Sequence, residues 1–304
     1  MRKTELIVLA AMLTLCAACR DTKTPTADSQ QQPASTFYDG KAAEAARAGK
    51  TSNDAATGKD AATSKDATGT VTCYELPAPL TDRPELILRR KGYTTSYNKQ
   101  TRCANWVAWH LTKAHTYGNN QRAEQTFTED TDVASPRATD KDYYNSRYDR
   151  GHLCPAGDNK WDATAMRQSF LFTNICPQNH GLNKYEWNDL ETLCRDWARR
   201  YGAVDIVCGP IYDAGADHQK TIGRNRVWVP TRMFKVVLCR TGQPKAIGFV
   251  YQNEGKKQPM ADAVCTVDEV ERLTGIDFFP ALDDALEQQL EAQARLADWQ
   301  GGSR

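Results

Sequence analysis

A break in composition near residue 72 divides the chain into a part that cannot build a core and a part that can. From Arg20 to Thr72 there are seven basic and seven acidic residues, much Ala, Thr, Ser and Gln, and only Phe37 and Tyr38 as aromatics. Such a segment removes too little apolar surface from water to offset the entropy of ordering its backbone. Within it, Ala55-Ala56-Thr57-Gly58-Lys59-Asp60 is echoed by Ala61-Ala62-Thr63-Ser64-Lys65-Asp66 and begins again at Ala67. A six-residue repeat fits no solenoid period, so residues 20–72 read as a disordered, flexible tether. The folded domain is expected from Cys73 to Arg304, 232 residues, enough for one enzyme-sized core.

Ahead of the tether, Arg2 and Lys3 precede the apolar run Leu6 to Leu15, which is too short to span a bilayer as a helix, and then Cys16-Ala17-Ala18-Cys19. Residues 1–19 read as an export signal. The small residues before Cys19 resemble a bacterial lipoprotein signal, in which that cysteine becomes the lipidated start of the mature chain. Cys16 departs from the pattern, since an aliphatic residue usually stands three before the cysteine and Leu15 is one place off. The expectation is an exported, lipid-anchored protein of the cell envelope, in the outer membrane or periplasm. Eight further cysteines (73, 103, 154, 176, 194, 208, 239 and 265) are many for a reduced compartment, so disulfides are expected. No C-x-x-C pair occurs among them, which removes support for a zinc knuckle or a thioredoxin-like site.

The net charge of +1 conceals a split: Cys73 to Met260 carries 27 basic and 20 acidic residues, and Ala261 to Arg304 carries 3 and 10. A basic middle allows a polyanionic partner. Tyr93 to Tyr97 and Ala104 to Leu111 are β-rich and flank a polar turn, predicting an early hairpin. Further strands are expected at Phe170 to Asn174, Val204 to Cys208, Val227 to Val229, Phe234 to Leu238 and Ala246 to Tyr251. From Asn183 to Arg200, the spacing of Trp187, Leu190, Cys194 and Trp197 predicts a helix with one buried stripe. Leu282 to Trp299 reads as an acidic amphipathic helix with no catalytic assignment. Strands and helices that do not strictly alternate indicate the α+β class.

The residues with the most chemical information are Asp149-Arg150-Gly151-His152, then Asn174-Ile175-Cys176-Pro177-Gln178, Asn183, and Trp187, Leu190 and Glu191. Here the chain resembles the DNA/RNA non-specific endonuclease family of ββα-metal nucleases (endonuclease G-like). That family's pattern is D-R-G-H, N-x-x-P-Q, an Asn nine residues after the first Asn, and W-x-x-L-E. The resemblance spans essentially the whole domain, including Gly209-Pro210 and Val229-Pro230. It implies a ββα-metal nuclease fold with a central, mostly antiparallel sheet flanked by helices. The implied activity is endonucleolytic hydrolysis of DNA and RNA without strong sequence preference, with Mg²⁺ as cofactor and Mn²⁺ able to replace it; a homodimer is allowed.

Phosphodiester hydrolysis needs a base, a divalent cation and help for the leaving oxygen. His152 fits the base because imidazole titrates nearest neutral pH; a structural histidine is the bland alternative. The resemblance makes Asn183 the metal ligand, against an N-cap role. On one continuous helix Glu191 would stand about 80° around and about 12 Å along from Asn183, which favours a water-mediated contact to the ion. Arg122 and Arg150 are candidates for the phosphate, with an internal salt bridge as the alternative for Arg150. Asn174 is expected to orient the histidine or substrate, or to serve only as a turn residue. Asp149, Gly151 and Asp158 read as structural, the two acids by holding loops or metal-bound water and Gly151 by relaxing the backbone before His152. Cys154 and Cys176 invite a disulfide between the two motif loops, which argues against a thiol nucleophile. The rival readings are a non-catalytic nucleic-acid-binding envelope lipoprotein and a cysteine-dependent hydrolase; neither predicts the joint D-R-G-H and Asn/Glu pattern.

Overall fold

Two cores share the same strands, and that alternation sets a three-layer architecture. In strand β3 (Cys103–Thr112), Val107, Trp109 and Leu111 enter one core while Trp106 and Ala108 enter the other. Strand β9 (Arg232–Cys239) repeats this, with Met233, Val237 and Cys239 against Phe234, Val236 and Leu238. Successive side chains of a strand point to opposite faces, so strands apolar on both must be covered on both.

The structure, a computed structural model, describes residues 72–213 and 218–300. The expected export signal at 1–19, and the expected tether apart from Thr72, lie outside the described residues. In chain order, β1 (Leu86–Arg89), β2 (Thr94–Asn98) and β3 lead to α1 (Asp140–Tyr143), β4 (Asp149–His152), α2 (Ala163–Ser169) and β5 (Ile175–Gln178). Then come α3 (His180–Lys184), α4 (Glu186–Tyr201), β6 (Ala203–Ile211), β7 (Thr221–Ile222), β8 (Val227–Trp228), β9 and β10 (Lys245–Gln252). The chain closes with α5 (Met260–Ala263), β11 (Val264–Cys265), α6 (Val267–Thr274), α7 (Asp284–Glu291) and α8 (Ala297–Gln300).

Seven strands form one antiparallel sheet in the order β1-β2-β3-β6-β9-β10-β11. The expected hairpin is β2–β3, and the α+β class is found. Helix α4 lies on one face, burying Trp187, Leu190, Cys194 and Trp197 as its spacing predicts. On the other face α6 and α7 contribute Val267, Val270 and Leu290, with Phe278 and Phe279 from the segment between them. No helix among the described residues is long and apolar enough to cross a membrane.

Several expectations are corrected. Phe170 to Asn174 is not a strand; it is a turn ending in a short 3₁₀ segment, and the strand begins at Ile175. Its apolar side chains are spent on packing, Phe172 in the main core and Phe170 with Met166. The stretch from Asn183 to Arg200 is two helices, broken at Tyr185, whose ψ of −87° no helix continues through. The C-terminal stretch is likewise interrupted between α7 and α8. All eight cysteines among the described residues are thiols, so the bridge expected between Cys154 and Cys176 is absent. Their sulfurs have other neighbours: Asn159 Nδ2 donates to Cys154 Sγ at 3.3 Å, and Cys176 Sγ lies 3.7 Å from Met233 Sδ. Burial pushes the Cys103, Cys194 and Cys208 thiols up to about 12, which leaves them inert as nucleophiles.

Beneath α4 the sheet presents a lysine. Lys235 is wholly buried, and its Nζ has no hydrogen-bond partner among the described residues. The ammonium sits over the rings of Trp187, at 4.4 Å from the centroid, and Trp109, at 5.6 Å. Burial disfavours its charge, but Cys208, Cys194, Glu191 and Asp158 outweigh that and hold its pKa above the ordinary lysine value. Since those thiols stay protonated near neutral pH, the acids are the countercharges that matter there. Lys235→Ala would remove both the cation and its stem, and is expected to cost about 3–5 kcal/mol in urea unfolding. Lys235→Met keeps the volume and should cost less than half as much; equal losses would show that the charge outweighs the packing.

Candidate active site

The D-R-G-H motif is strand β4 itself, paired antiparallel with β5, so that Gly151 faces Cys176 and His152 faces Ile175. A β-carbon on Gly151 would lie 2.6 Å from the Cβ of Gln178 and 2.3 Å from its Oε1. Gly151 is thus demanded by the close approach of a buried glutamine, not by the backbone relaxation expected from sequence. Behind the strand, Asn174 is fully buried: its Oδ1 accepts from Cys154 N–H at 2.9 Å, and its Nδ2 donates to the Cys154 and Ser169 carbonyls at 2.8 Å. It is a clip holding the chain two residues after His152, and it does not line the cleft.

His152 is 5% exposed and wedged between aromatic rings, with Phe170 edge-on at 4.8 Å and Phe127 tilted at 5.4 Å. Its Nε2 is buried with no partner among the described residues. No hydrogen bond from the described residues engages Nδ1 either, which leaves Nδ1 as the ring nitrogen with access to the cleft. Burial, and then the Arg122 guanidinium, push the imidazole down to about 3. It is therefore neutral, and able to accept a proton, at any ordinary pH.

The cleft before His152 has a volume of about 480 Å³. Asn183 enters it from α3 and Glu191 from α4. The break at Tyr185 replaces the single-helix geometry expected for this pair, yet both still reach one cleft. Asn183 is not a helix cap, because Asn179 caps α3 by accepting from Gly181 N–H. Instead Asn183 Nδ2 donates to Asp149 Oδ2 at 2.9 Å, an oxygen that His180 Nδ1 also reaches at 2.9 Å. With its nitrogen committed to a carboxylate, the amide keeps its oxygen, which accepts no hydrogen bond among the described residues, as a donor atom for a cation. Glu191 is half-buried with no hydrogen bond or ion pair among the described residues. Burial pushes its carboxyl up to about 7, with Lys235 the main opposing influence. An amide oxygen and an unpartnered carboxylate are hard donors, and they suit a hard, hydrated divalent cation.

Arg122, Lys160, Lys184 and Arg195 add positive charge to this cleft. Arg122 also lies 6.0 Å from the Phe170 ring centroid. Sequence reasoning missed Lys160, Lys184, His180 and Arg195. Only Arg195 carried a signal, standing four residues after Glu191 and so on the same helix face. Arg195 is anchored by Asp158 at 3.0 Å, and Trp109 Nε1 donates to the same acid at 3.0 Å. Arg150, read as a phosphate contact, does not line the cleft; its Nε donates to Asp140 Oδ1 at 2.6 Å and its guanidinium lies 5.7 Å from the rings of Phe127 and Tyr143. A larger groove of about 1020 Å³, bounded by Asp140, Arg137 and Arg224, contains none of the motif residues.

Residues 71–285 match the family model described as DNA/RNA non-specific endonuclease. The mitochondrial nuclease EXOG of Xenopus laevis is 34% identical over 207 residues, covering 63% of this chain and 58% of that protein. Nuclease C1 of Cunninghamella echinulata var. echinulata is 36% identical over 210 residues, covering 64% and 83%. Human mitochondrial endonuclease G is 34% identical over 203 residues, covering 63% and 68%. A solved structure of the EndoG/EndoGI complex aligns with a TM-score of 0.62 and 28% identity, covering 66% of this chain and 89% of that one. The chain thus spans less than two thirds of the length of the EXOG relatives it matches.

The depressed basicity of His152 has a direct readout. Its ring resonances should stay flat from pH 8 to pH 5 in NMR titrations, whereas an unperturbed histidine would pass its midpoint near 6.5. A midpoint inside that window would mean that the ring is hydrated in solution.

Proposed function

The chain belongs to the DNA/RNA non-specific endonuclease family, and on that premise we propose that it is a metal-dependent endonuclease cleaving DNA and RNA with little base preference. The observation that carries the reading is the convergence of a proton-accepting imidazole, two hard oxygen donors and four cationic side chains on one cleft.

In this reading Asn183 would hold Mg²⁺, or Mn²⁺ in its place, through its amide oxygen, and Glu191 would assist from beside it through water. When bound, the ion supplies charge neutralisation at the phosphate and at the leaving oxygen. His152 accepts a proton from a water that attacks phosphorus in line with the bond that breaks, and the departing 3′ oxygen takes a proton from another water, leaving 5′-phosphate and 3′-hydroxyl ends. Arg122 both attracts the phosphate and lowers the basicity of His152. An anionic phosphate on Arg122 relieves that repulsion, so His152 becomes a stronger base once substrate is in place. Lys160 and Lys184 extend the contact along the backbone, and phosphate contacts carry no base identity. Asn174 and Arg150 act at one remove: Asn174 fixes the chain after His152, and Arg150 ties the motif strand to Asp140. We also propose export and lipid anchoring through Cys19, on the strength of residues 1–19 alone.

The test is degradation of supercoiled plasmid and of a structured RNA by the full chain, with Mg²⁺ or with EDTA. Both substrates should be cut only with metal. His152→Ala should lose at least about two orders of magnitude in rate, the scale of a lost general base. Asn183→Ala should raise the Mg²⁺ concentration needed for half-maximal rate. Binding without cleavage across Mg²⁺, Mn²⁺ and Ca²⁺ would sink the enzymatic reading.

A further inference from the structure

The acidic C-terminal stretch takes no part in the cleft, and on the opposite face of the sheet it assembles a site of its own. Asp268 and Glu271 stand three residues apart on α6 and so share a helix face, while Glu291 arrives at the end of α7. One carboxylate oxygen from each lies within 4.8 Å of the other two. That is the spread of oxygens sharing one ion at metal–oxygen distances of about 2.4 Å.

A second observation separates this group from an ordinary acidic surface. Glu291 is only 5% exposed, and its Oε1 is buried with no hydrogen-bond partner among the described residues. One turn earlier, Glu287 Oε1 is also buried and unpartnered among them. Glu271 uses Oε1 to accept from Phe278 N–H at 2.8 Å, leaving Oε2 available. None of Asp268, Glu271, Glu287 and Glu291 forms an ion pair among the described residues, and Arg272 on the same helix is committed to Glu269. The charged groups bearing on Glu291 are acids throughout: Glu271, Glu287, Asp268 and Asp277. A buried carboxyl with neither donor nor counter-ion must either stay protonated or take a cation.

We propose that Asp268, Glu271 and Glu291, with Glu287 beside them, bind a calcium-class divalent cation that fastens α7 to α6. The ion class is set by the donors. Several carboxylates, one exposed and one buried, fit the large and irregular oxygen shell of Ca²⁺, whereas Mg²⁺ prefers one or two carboxylates and a rigid octahedron of water. Glu287 and Glu291 lie beyond residue 285, outside the segment matched by the family model. The site therefore joins the family segment to α7 of the acidic stretch, and it does not depend on the nuclease reading.

The experiment is Ca²⁺ binding to the full chain by equilibrium dialysis, with thermal unfolding in EDTA, in Ca²⁺ and in Mg²⁺. Wild type and Asn183→Ala should each retain one Ca²⁺ equivalent at this site and gain about 5 °C in Tm at saturating Ca²⁺. Glu291→Gln and Glu271→Gln should lose that equivalent and the Ca²⁺-dependent gain, and Glu291→Gln should melt above wild type in EDTA because an unbalanced buried acid is gone. A Ca²⁺ equivalent that disappears in Asn183→Ala, or one that survives in both glutamine variants, would overturn the proposal. So would a Tm that Ca²⁺ leaves unchanged in wild type.

Discussion

The seating of α4 on the sheet is the contact from which the rest of the molecule takes its positions. Trp187, Leu190, Cys194 and Trp197 enter the core, and one residue out of phase with that stripe stand Glu191 and Arg195 at the cleft. A helix that is fixed through its apolar side chains cannot slide, so the polar groups interleaved with them inherit the precision of the core. The pair Asp158–Arg195 secures the same helix from the other direction, since Asp158 is also held by Trp109 of the sheet. Lys235 lies below, where it stabilises the acids that burial would otherwise neutralise.

Burial also divides the labour of the ionisable groups. His152 and Glu191 line one cleft, yet desolvation moves them in opposite senses, the imidazole toward its neutral form and the carboxyl toward its protonated one. For the histidine this keeps the ring neutral but weakens it as a base, a loss that an anion beside Arg122 would lessen. For the carboxyl it is a cost that a cation in the cleft would offset.

How much of the molecule is legible in the sequence depends on how local each signal is. The β-rich composition of β2 and β3, and the spacing of three to four in α4, are written in consecutive residues and agree with the fold. The linked motifs likewise pick out His152, Asn183 and Glu191, which the fold brings to one cleft. Signals that depend on distant neighbours are not readable. Nothing in Phe170 to Asn174 distinguishes an apolar turn from a strand, because the difference lies in Phe172 and Phe170 reaching separate clusters. The break at Tyr185 has no glycine or proline to announce it. The evenness of the cysteine count suggests bridges, but the sulfurs are parted by packing partners from elsewhere in the chain. Arg150 belongs to the motif by position and to Asp140 by geometry, and only the fold reveals which matters. Asp149 reads as structural, and its sharing between Asn183 and His180 becomes visible only once α3 is in place.

The opposed charge of the two ends of the domain acquires a direction in space. Arg122, Lys160, Lys184 and Arg195 gather at the cleft on the α4 side, while Asp268, Asp277, Glu271, Glu287 and Glu291 cluster with the helices of the opposite layer. The sheet thus parts a group of basic side chains from a group of acidic ones. Near a polyanion such a body experiences a torque before it experiences contact, and it turns its basic side inward while still within a Debye length, about 8 Å at physiological salt. If the partner is a polyanion, productive encounters would then be a larger share of all collisions, an advantage that fades as added salt shortens the range of the field.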